Sequence, residues 1–239
     1  MEPLIFVVRH AEAEHNVIMD FSQRDPPLTL KGFDQASHLA KTFPEPRSIS
    51  VVLTSPLKRA LQTTLKGFSQ VLALDSVGED GQNGTARLLV DRDLQETSDL
   101  PCDTGSDRDT LEKLFPNVDL TTLDKDWFVK TGMYAADEKA VILRAKTFRK
   151  KLWNIAKSVQ SDQSSSSSQR AIVIVTHSAF MQYLSQDMNL NLPQAGWNSF
   201  RIQEKPDGEI SVLSYGICVF ERSDGHEQQI NNMSNTLIV

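Results

Sequence analysis

The chain has 239 residues, and its 25 Lys+Arg against 31 Asp+Glu leave a formal charge of −6 at pH 7. A polypeptide of this length buries about 70–75% of the surface its unfolded form exposes, so a core can form without disulfides or metal. With 39% hydrophobic and 23% charged residues it reads as one globular domain over 1–239, and its acidity argues against a nucleic-acid partner, which calls for a basic face.

Leu4–Val8 is a continuous apolar run of strand length, suited to a parallel strand buried on both faces. A helix is predicted over about Leu30–Phe43 behind a Thr29 N-cap, with Phe33, Ala36, Leu39, Ala40 and Phe43 at three- and four-residue spacing and Pro44 and Pro46 as its stop. Ser50–Thr54 is the next strand, and Ser55-Pro56 supplies an N-cap and first-turn proline for a helix with the apolar face Leu57, Ala60, Leu61, Thr64, Leu65 and Phe68. Asp75–Gly84 reads as a surface loop and Arg87–Val90 as a third strand.

Periodicity fades from Leu94 to Met133, where Leu111, Leu114 and Phe115, then Trp127 and Phe128, are expected to anchor small helices over the sheet edge. It returns at Glu138–Val159, through Val141, Ala145, Phe148, Leu152, Ile155 and Val159. Residues 161–169, with serine from Ser164 to Ser168, read as a flexible loop. Ala171–Thr176 is the strongest buried-strand signal, followed by a helix from Ser178 to about Asn189. Glu209–Ser214 and Gly216–Arg222 are predicted to close the sheet as a pair, before a loose polar tail over 223–239. Strands alternating with helices, several nearly all apolar, predict an α/β sheet with helices on both faces.

Cys102 and Cys218 lie far apart and form no Cys-x-x-Cys pair, which fits a reducing, cytoplasmic setting. The first residues lack a basic leader and no apolar run approaches about eighteen residues, so neither export nor a membrane is expected.

In such sheets ligands bind beyond the carboxyl ends of the strands. The first strand runs into Arg9-His10, the second into Ser55 and then Arg59 one turn into its helix, and the Ala171–Thr176 strand into His177-Ser178. Two arginines and two histidines on one rim make an anion site, with phosphate as its natural occupant: guanidinium forks match phosphate oxygens, and a helix N-terminus at Ser178 adds backbone donors. With an ordinary pKa of ~6.5, a neutral imidazole can attack phosphorus and carry the phosphoryl group. Fixed arginines then stabilise the equatorial oxygens, the work a metal does elsewhere.

Leu4–Asn16 resembles the opening Arg-His-Gly-Glu-x-x-x-Asn motif of the histidine phosphatase (phosphoglycerate mutase-like) superfamily. Pro27–Gly32 with Ala36 resembles its Pro-Leu-Thr-x-x-Gly segment, Thr54–Thr63 its Ser-x-x-x-Arg-Ala-x-Gln-Thr segment, and Val175–Ser178 its second-histidine motif. The resemblance implies a three-layer α/β/α sandwich with a mostly parallel sheet, in which His10 is phosphorylated, Arg9, Arg59 and His177 cradle the phosphate and Asn16 assists. It also places the proton donor of the mutase-like branch at Glu96, since Ser178 stands where the phytase-like branch has an Asp. Ala11 and Ser178 replace family glycines, narrowing the pocket, and Thr97–Leu100 replaces the Arg-His-Tyr-Gly stretch of phosphoglycerate mutases, which favours phosphatase over mutase.

The resulting expectation is a metal-independent phosphomonoesterase with no cofactor, acting on a small phosphorylated substrate, with Leu94–Met133 as a lid. Asp93, Asp99 and Asp103 compete with Glu96 for the acid's role, and mutase-type phosphoryl transfer and a silent phosphate-binding scaffold are the alternatives. A zinc-deaminase reading of His10-Ala11-Glu12 with Pro101-Cys102 fails on its last cysteine, since Gly105 stands there. His15, His38 and His226 are read as surface residues.

Overall fold

The computed structural model describes residues 2–73, 84–161 and 170–215, with the backbone of 218–221 and 227–230. Its strands are β1 (Leu4–Arg9), β2 (Ile49–Thr54), β3 (Arg87–Val90), β4 (Ala171–Thr176), β5 (Trp197–Glu204), β6 (Ile210–Ser214), β7 (Cys218–Glu221) and β8 (Glu227–Ile230). They form one sheet in the order β3-β2-β4-β1-β5-β7-β8, with β6 also on β5. The first four strands in that order are parallel, and β5 turns the sheet antiparallel. The helices are α1 (Glu14–Ile18), α2 (Leu30–Thr42), α3 (Lys58–Gly67), α4 (Arg108–Leu114), α5 (Glu138–Ser161) and α6 (Ser178–Ser185).

The strands' two-residue alternation builds the layers. Ile5, Val7, Val51, Leu53, Ile172 and Ile174 pack against Ala145, Phe148 and Leu152 of α5 and Phe180, Met181 and Leu184 of α6. Their neighbours Phe6, Val8, Val52, Val173 and Val175 face the other way, onto Leu39 of α2, Phe43 and Ala60 of α3. This is the expected three-layer α/β/α arrangement. No helix among the described residues is long and apolar enough to cross a membrane.

Several expectations are corrected. β5 has no counterpart in the sequence reading, and the two strands expected to close the sheet as a pair instead both pair with β5. α6 ends at Ser185 because Gln186 turns left-handed (φ 59°) and returns its N–H to Gln182 O, well before Asn189. α3 begins at Lys58, so neither Ser55 nor Pro56 lies in its first turn; Asp25, fully buried, receives the Lys58 N–H from outside (2.9 Å). Of the two short helices expected, only α4 forms. Trp127 is buried in turns against Leu57, Leu61 and Leu111. Within the tail expected to be loose, Glu227–Ile230 pairs with β7. Residues 74–83 and 162–169, which hold nearly all of the two expected loops, lie outside the described residues.

Much of the phosphatase-like sequence pattern braces the loop after β1. Thr29 donates its N–H to Glu12 O (3.0 Å) and its hydroxyl to Glu12 Oε1 (2.9 Å), while its Oγ1 caps α2 by accepting Gly32 N–H (2.9 Å). Gly32 is required by close approach: a Cβ there would sit 2.0 Å from Glu12 O, a backbone atom. Gly32→Ala is therefore expected to destabilise the fold by about 1–3 kcal/mol through forced backbone movement, checked by urea denaturation; an unchanged midpoint contradicts this.

Candidate active site

The register of β1 on β4 pairs Arg9 with Thr176, so the next residues, His10 and His177, emerge abreast, with His10 N–H on Thr176 O (3.0 Å) and ring centroids 5.1 Å apart. β2 pairs Thr54 with Val175, which brings Ser55 beside His177; Ser55 Oγ lies 2.8 Å from His177 Nε2. Arg59, in the first turn of α3 and 1% exposed, points its Nε–H at His10 Nε2 (3.2 Å).

These contacts assign the His10 tautomer. A guanidinium N–H can only donate, so Nε2 is the acceptor, and Ala11 O can only accept, so Nδ1 carries the proton (2.7 Å). Burial first, then the Arg59 charge, holds the His10 imidazole well below its ordinary 6.5, and the same two causes act on His177. His10 is thus neutral near pH 7, with a lone pair on Nε2.

Arg59 is steered from its far side. Its Nη1 donates to Cys102 O (2.6 Å) and its Nη2 to Asp103 Oδ1 (2.8 Å), while Ser98 Oγ donates to Asp103 Oδ2 (2.6 Å). Arg9 donates through Nη1 to Leu192 O (2.8 Å), and its buried Nε has no partner among the described residues; nor has the buried Nδ1 of His177. Buried polar atoms are ordinarily hydrogen-bonded, and these nitrogens next to a second cation suit an anion.

Glu96 is half-buried over the start of α6, where Ala179 N–H reaches Oε2 (3.1 Å) and Phe180 N–H reaches Oε1 (3.0 Å), and Thr97 N–H also reaches Oε1 (2.9 Å). The helix N-terminus expected to offer its donors to phosphate is therefore committed to Glu96 at two of its amides. Ser178 is the half-buried first residue of that helix. Burial, then the nearby Asp103 charge, raises the Glu96 carboxyl above its ordinary 4.5 against the opposing pull of those amides. Its backbone is clamped, since Glu96 O accepts from Lys130 Nζ (3.0 Å) and Arg144 Nη2 (3.3 Å). Burial lowers Lys130 to about 7 and Arg144 to about 10.

Two expectations change here. His15 is not a surface residue: it is 6% exposed, with its ring centroid 6.1 Å from that of His10. Asn16 is half-buried, and its amide is committed to Ala13 N–H (3.1 Å, through Oδ1) and His15 Nε2 (3.0 Å, through Nδ2). His38 is exposed, as expected, and His226 lies outside the described residues. Of the competing acids, Asp93 is tied to Tyr134 and Lys151, Asp99 is exposed, and Asp103 is Arg59's counter-ion. Glu12 faces Lys31 (2.8 Å) and Thr29, not His10, which separates the residues of the zinc-deaminase reading.

Sequence reasoning missed His15, Asp103's pairing with Arg59, Ser55's link to His177, and Arg144. Only Arg144 carried a usable signal: it lies three residues after Val141 and four before Phe148, on the buried face of α5.

Residues 5–75 match the model of the histidine phosphatase superfamily (branch 1). A protein named as a probable phosphatase of Schizosaccharomyces pombe is 32% identical over 151 residues, 61% of this chain and 66% of that relative's length. A phosphoglycerate mutase-like protein of Arabidopsis thaliana is 27% identical over 209 residues, covering 74% of this chain and 68% of that one. Among solved structures, a mycobacterial glucosyl-3-phosphoglycerate phosphatase complexed with VO3 shares the fold, with a TM-score of 0.53 at 18% identity over 90% of this chain and 98% of its own.

The lowered imidazoles predict that side-chain NMR finds His10 and His177 still neutral as the pH falls through their ordinary 6.5, while His15, which burial and Arg59 lower, protonates only near about 4. Titration of His10 near its ordinary value would contradict the geometry.

Proposed function

The chain belongs to the histidine phosphatase superfamily, and from that premise we propose that it is a metal-independent phosphomonoesterase that works through a phosphohistidine on His10. The observation that carries this reading is the neutral His10, its Nδ1 proton held by Ala11 O and its Nε2 lone pair aimed at the Arg59 guanidinium.

In the first step the Nε2 lone pair forms a bond to phosphorus as the bond to the ester oxygen breaks, and Glu96 gives that oxygen its proton. Arg9, Arg59 and His177 hold the phosphoryl oxygens, and fixed donors of this kind cost no reorganisation during reaction. In the second step Glu96, now a carboxylate, takes a proton from water as the water oxygen attacks phosphorus; the N–P bond breaks and inorganic phosphate leaves with His10 neutral again. The three amides that fix the Glu96 carboxyl support its role at both stages, because one rotamer serves acid and base alike.

Phosphatase is favoured over mutase by a charge. Asp103 lies within electrostatic reach of Glu96 and beside Arg59, so a leaving group bearing its own carboxylate, as in a phosphoglycerate, meets repulsion there. The substrate class is a small phosphate monoester with a neutral or cationic leaving group. With a net charge of −6 the chain lacks the basic surround that a polyanion would need.

In EDTA, the wild type is expected to release nitrophenol from p-nitrophenyl phosphate and His10→Ala to lose that turnover; retained turnover in the variant would remove His10 from the mechanism. Glu96→Gln is expected to slow the first release of alcohol from alkyl phosphates by about 10²–10⁴-fold while sparing the first burst of nitrophenol from nitrophenyl phosphate, and an equal loss in that first step on both would move the acid elsewhere. Because His10 is lowered and Glu96 raised, kcat/KM needs pH above the first and below the second. It should peak on the acidic side of neutrality and fall as Glu96 deprotonates, and a profile still rising above about pH 8 would contradict the two roles.

A further inference from the structure

His15 has no part in the steps above, yet it is buried at the site. Asn16 Oδ1 accepts Ala13 N–H at 3.1 Å, which turns Asn16 Nδ2 toward His15 Nε2 at 3.0 Å. An amide nitrogen only donates, so Nε2 of His15 is the acceptor and the proton of the neutral ring sits on Nδ1. That Nδ1–H is buried without a partner among the described residues. The charged groups that reach the ring are Arg59, Asp103 and Arg9, the residues that frame the proposed phosphate site, and His10 lies 6.1 Å away between centroids. On its outer side the ring leans on Phe21, at 6.3 Å.

We infer that His15 is a further substrate-contacting residue, whose Nδ1–H donates to a non-bridging oxygen of the phosphoryl group bound at His10, and that Asn16 is a positioning residue that sets its tautomer. A buried donor is costly without an acceptor, and an anion beside Arg9 and Arg59 supplies one. Burial keeps the ring neutral down to about 4, so it adds a directed hydrogen bond without adding charge. The inference rests on the phosphatase reading. It also gives Asn16 a different task from the direct assistance expected of it: its side chain acts on the phosphate through His15.

The test is calorimetric binding of inorganic phosphate to the full chain, beside turnover of p-nitrophenyl phosphate. His15→Ala is expected to weaken phosphate binding by about 10–100-fold, the range for a hydrogen bond to a charged group. His15→Asn places its amide nitrogen where Nδ1 was and should bind within about threefold of wild type. Asn16→Ala should fall between, and adding it to His15→Ala should cost nothing further, since the two act through one bond. Wild-type affinity in His15→Ala, or a His15→Asn protein that melts like wild type yet binds as weakly as His15→Ala, overturns the inference. Should His15→Ala fail to fold, Asn16→Ala carries the test, and unchanged phosphate affinity there overturns it. Turnover with an unaffected His15→Ala would reject the donor and leave the phosphatase reading standing. The predicted order of phosphate affinities in a protein without turnover would do the reverse.

Discussion

The site depends on the register of β1 against β4. Because Arg9 pairs with Thr176, the two chains leave the sheet one residue later at the same height, and His10 N–H is still bonded to Thr176 O. A slip of one residue would send every side chain of a strand to the opposite face. That cannot happen cheaply here, since Ile5 and Val7 serve one layer while Phe6 and Val8 serve the other. The hydrophobic alternation that builds the core is thus the same constraint that sets two imidazoles 5.1 Å apart.

Around that pair the residues divide into those that bear on the chemistry and those that hold the backbone still. Thr63 accepts Ala11 N–H (3.0 Å), Gln35 accepts Glu12 N–H (2.8 Å) and Gln62 accepts Leu28 N–H (2.8 Å), so the loop after His10 and the segment leading into α2 are fastened to α2 and α3. Losing such an acceptor leaves a buried N–H unsatisfied, at about 1–3 kcal/mol. The electrostatics follow the same economy. Two guanidiniums, three imidazoles and two carboxyls lie close together, and their protonation depends on burial and on one another: burial and then Arg59 lower His10, and burial and then Asp103 raise Glu96.

What the sequence made legible was whatever repeats or stands at a strand end. β1, β2 and β4 are apolar runs, α2 and α5 are periodic, and Arg9, His10, Arg59 and His177 follow from strand ends and motif order. The strand β5 escaped because Trp197-Asn198-Ser199-Phe200-Arg201 mixes polar and apolar residues on a strand that pairs on both sides. His15 escaped because α1 is five residues long, too short for a period to show which face is buried. Asp103 comes from the aperiodic stretch after β3, where only tertiary contact with Arg59 gives it meaning. α6 was drawn too long because its early stop rests on a left-handed Gln186, a conformation its residue type does not announce.

The central claim is that His10 Nε2 forms a covalent bond to phosphorus. Its most direct test is to quench the wild-type protein during turnover of a phosphate monoester and to map the phosphoryl group by mass spectrometry on peptides kept at alkaline pH. The account predicts one phosphoryl group on the peptide bearing His10, stable in alkali and lost in acid. A phosphoryl group on any other residue, or steady turnover with no trapped phosphoenzyme even when Glu96→Gln slows its hydrolysis, would contradict it.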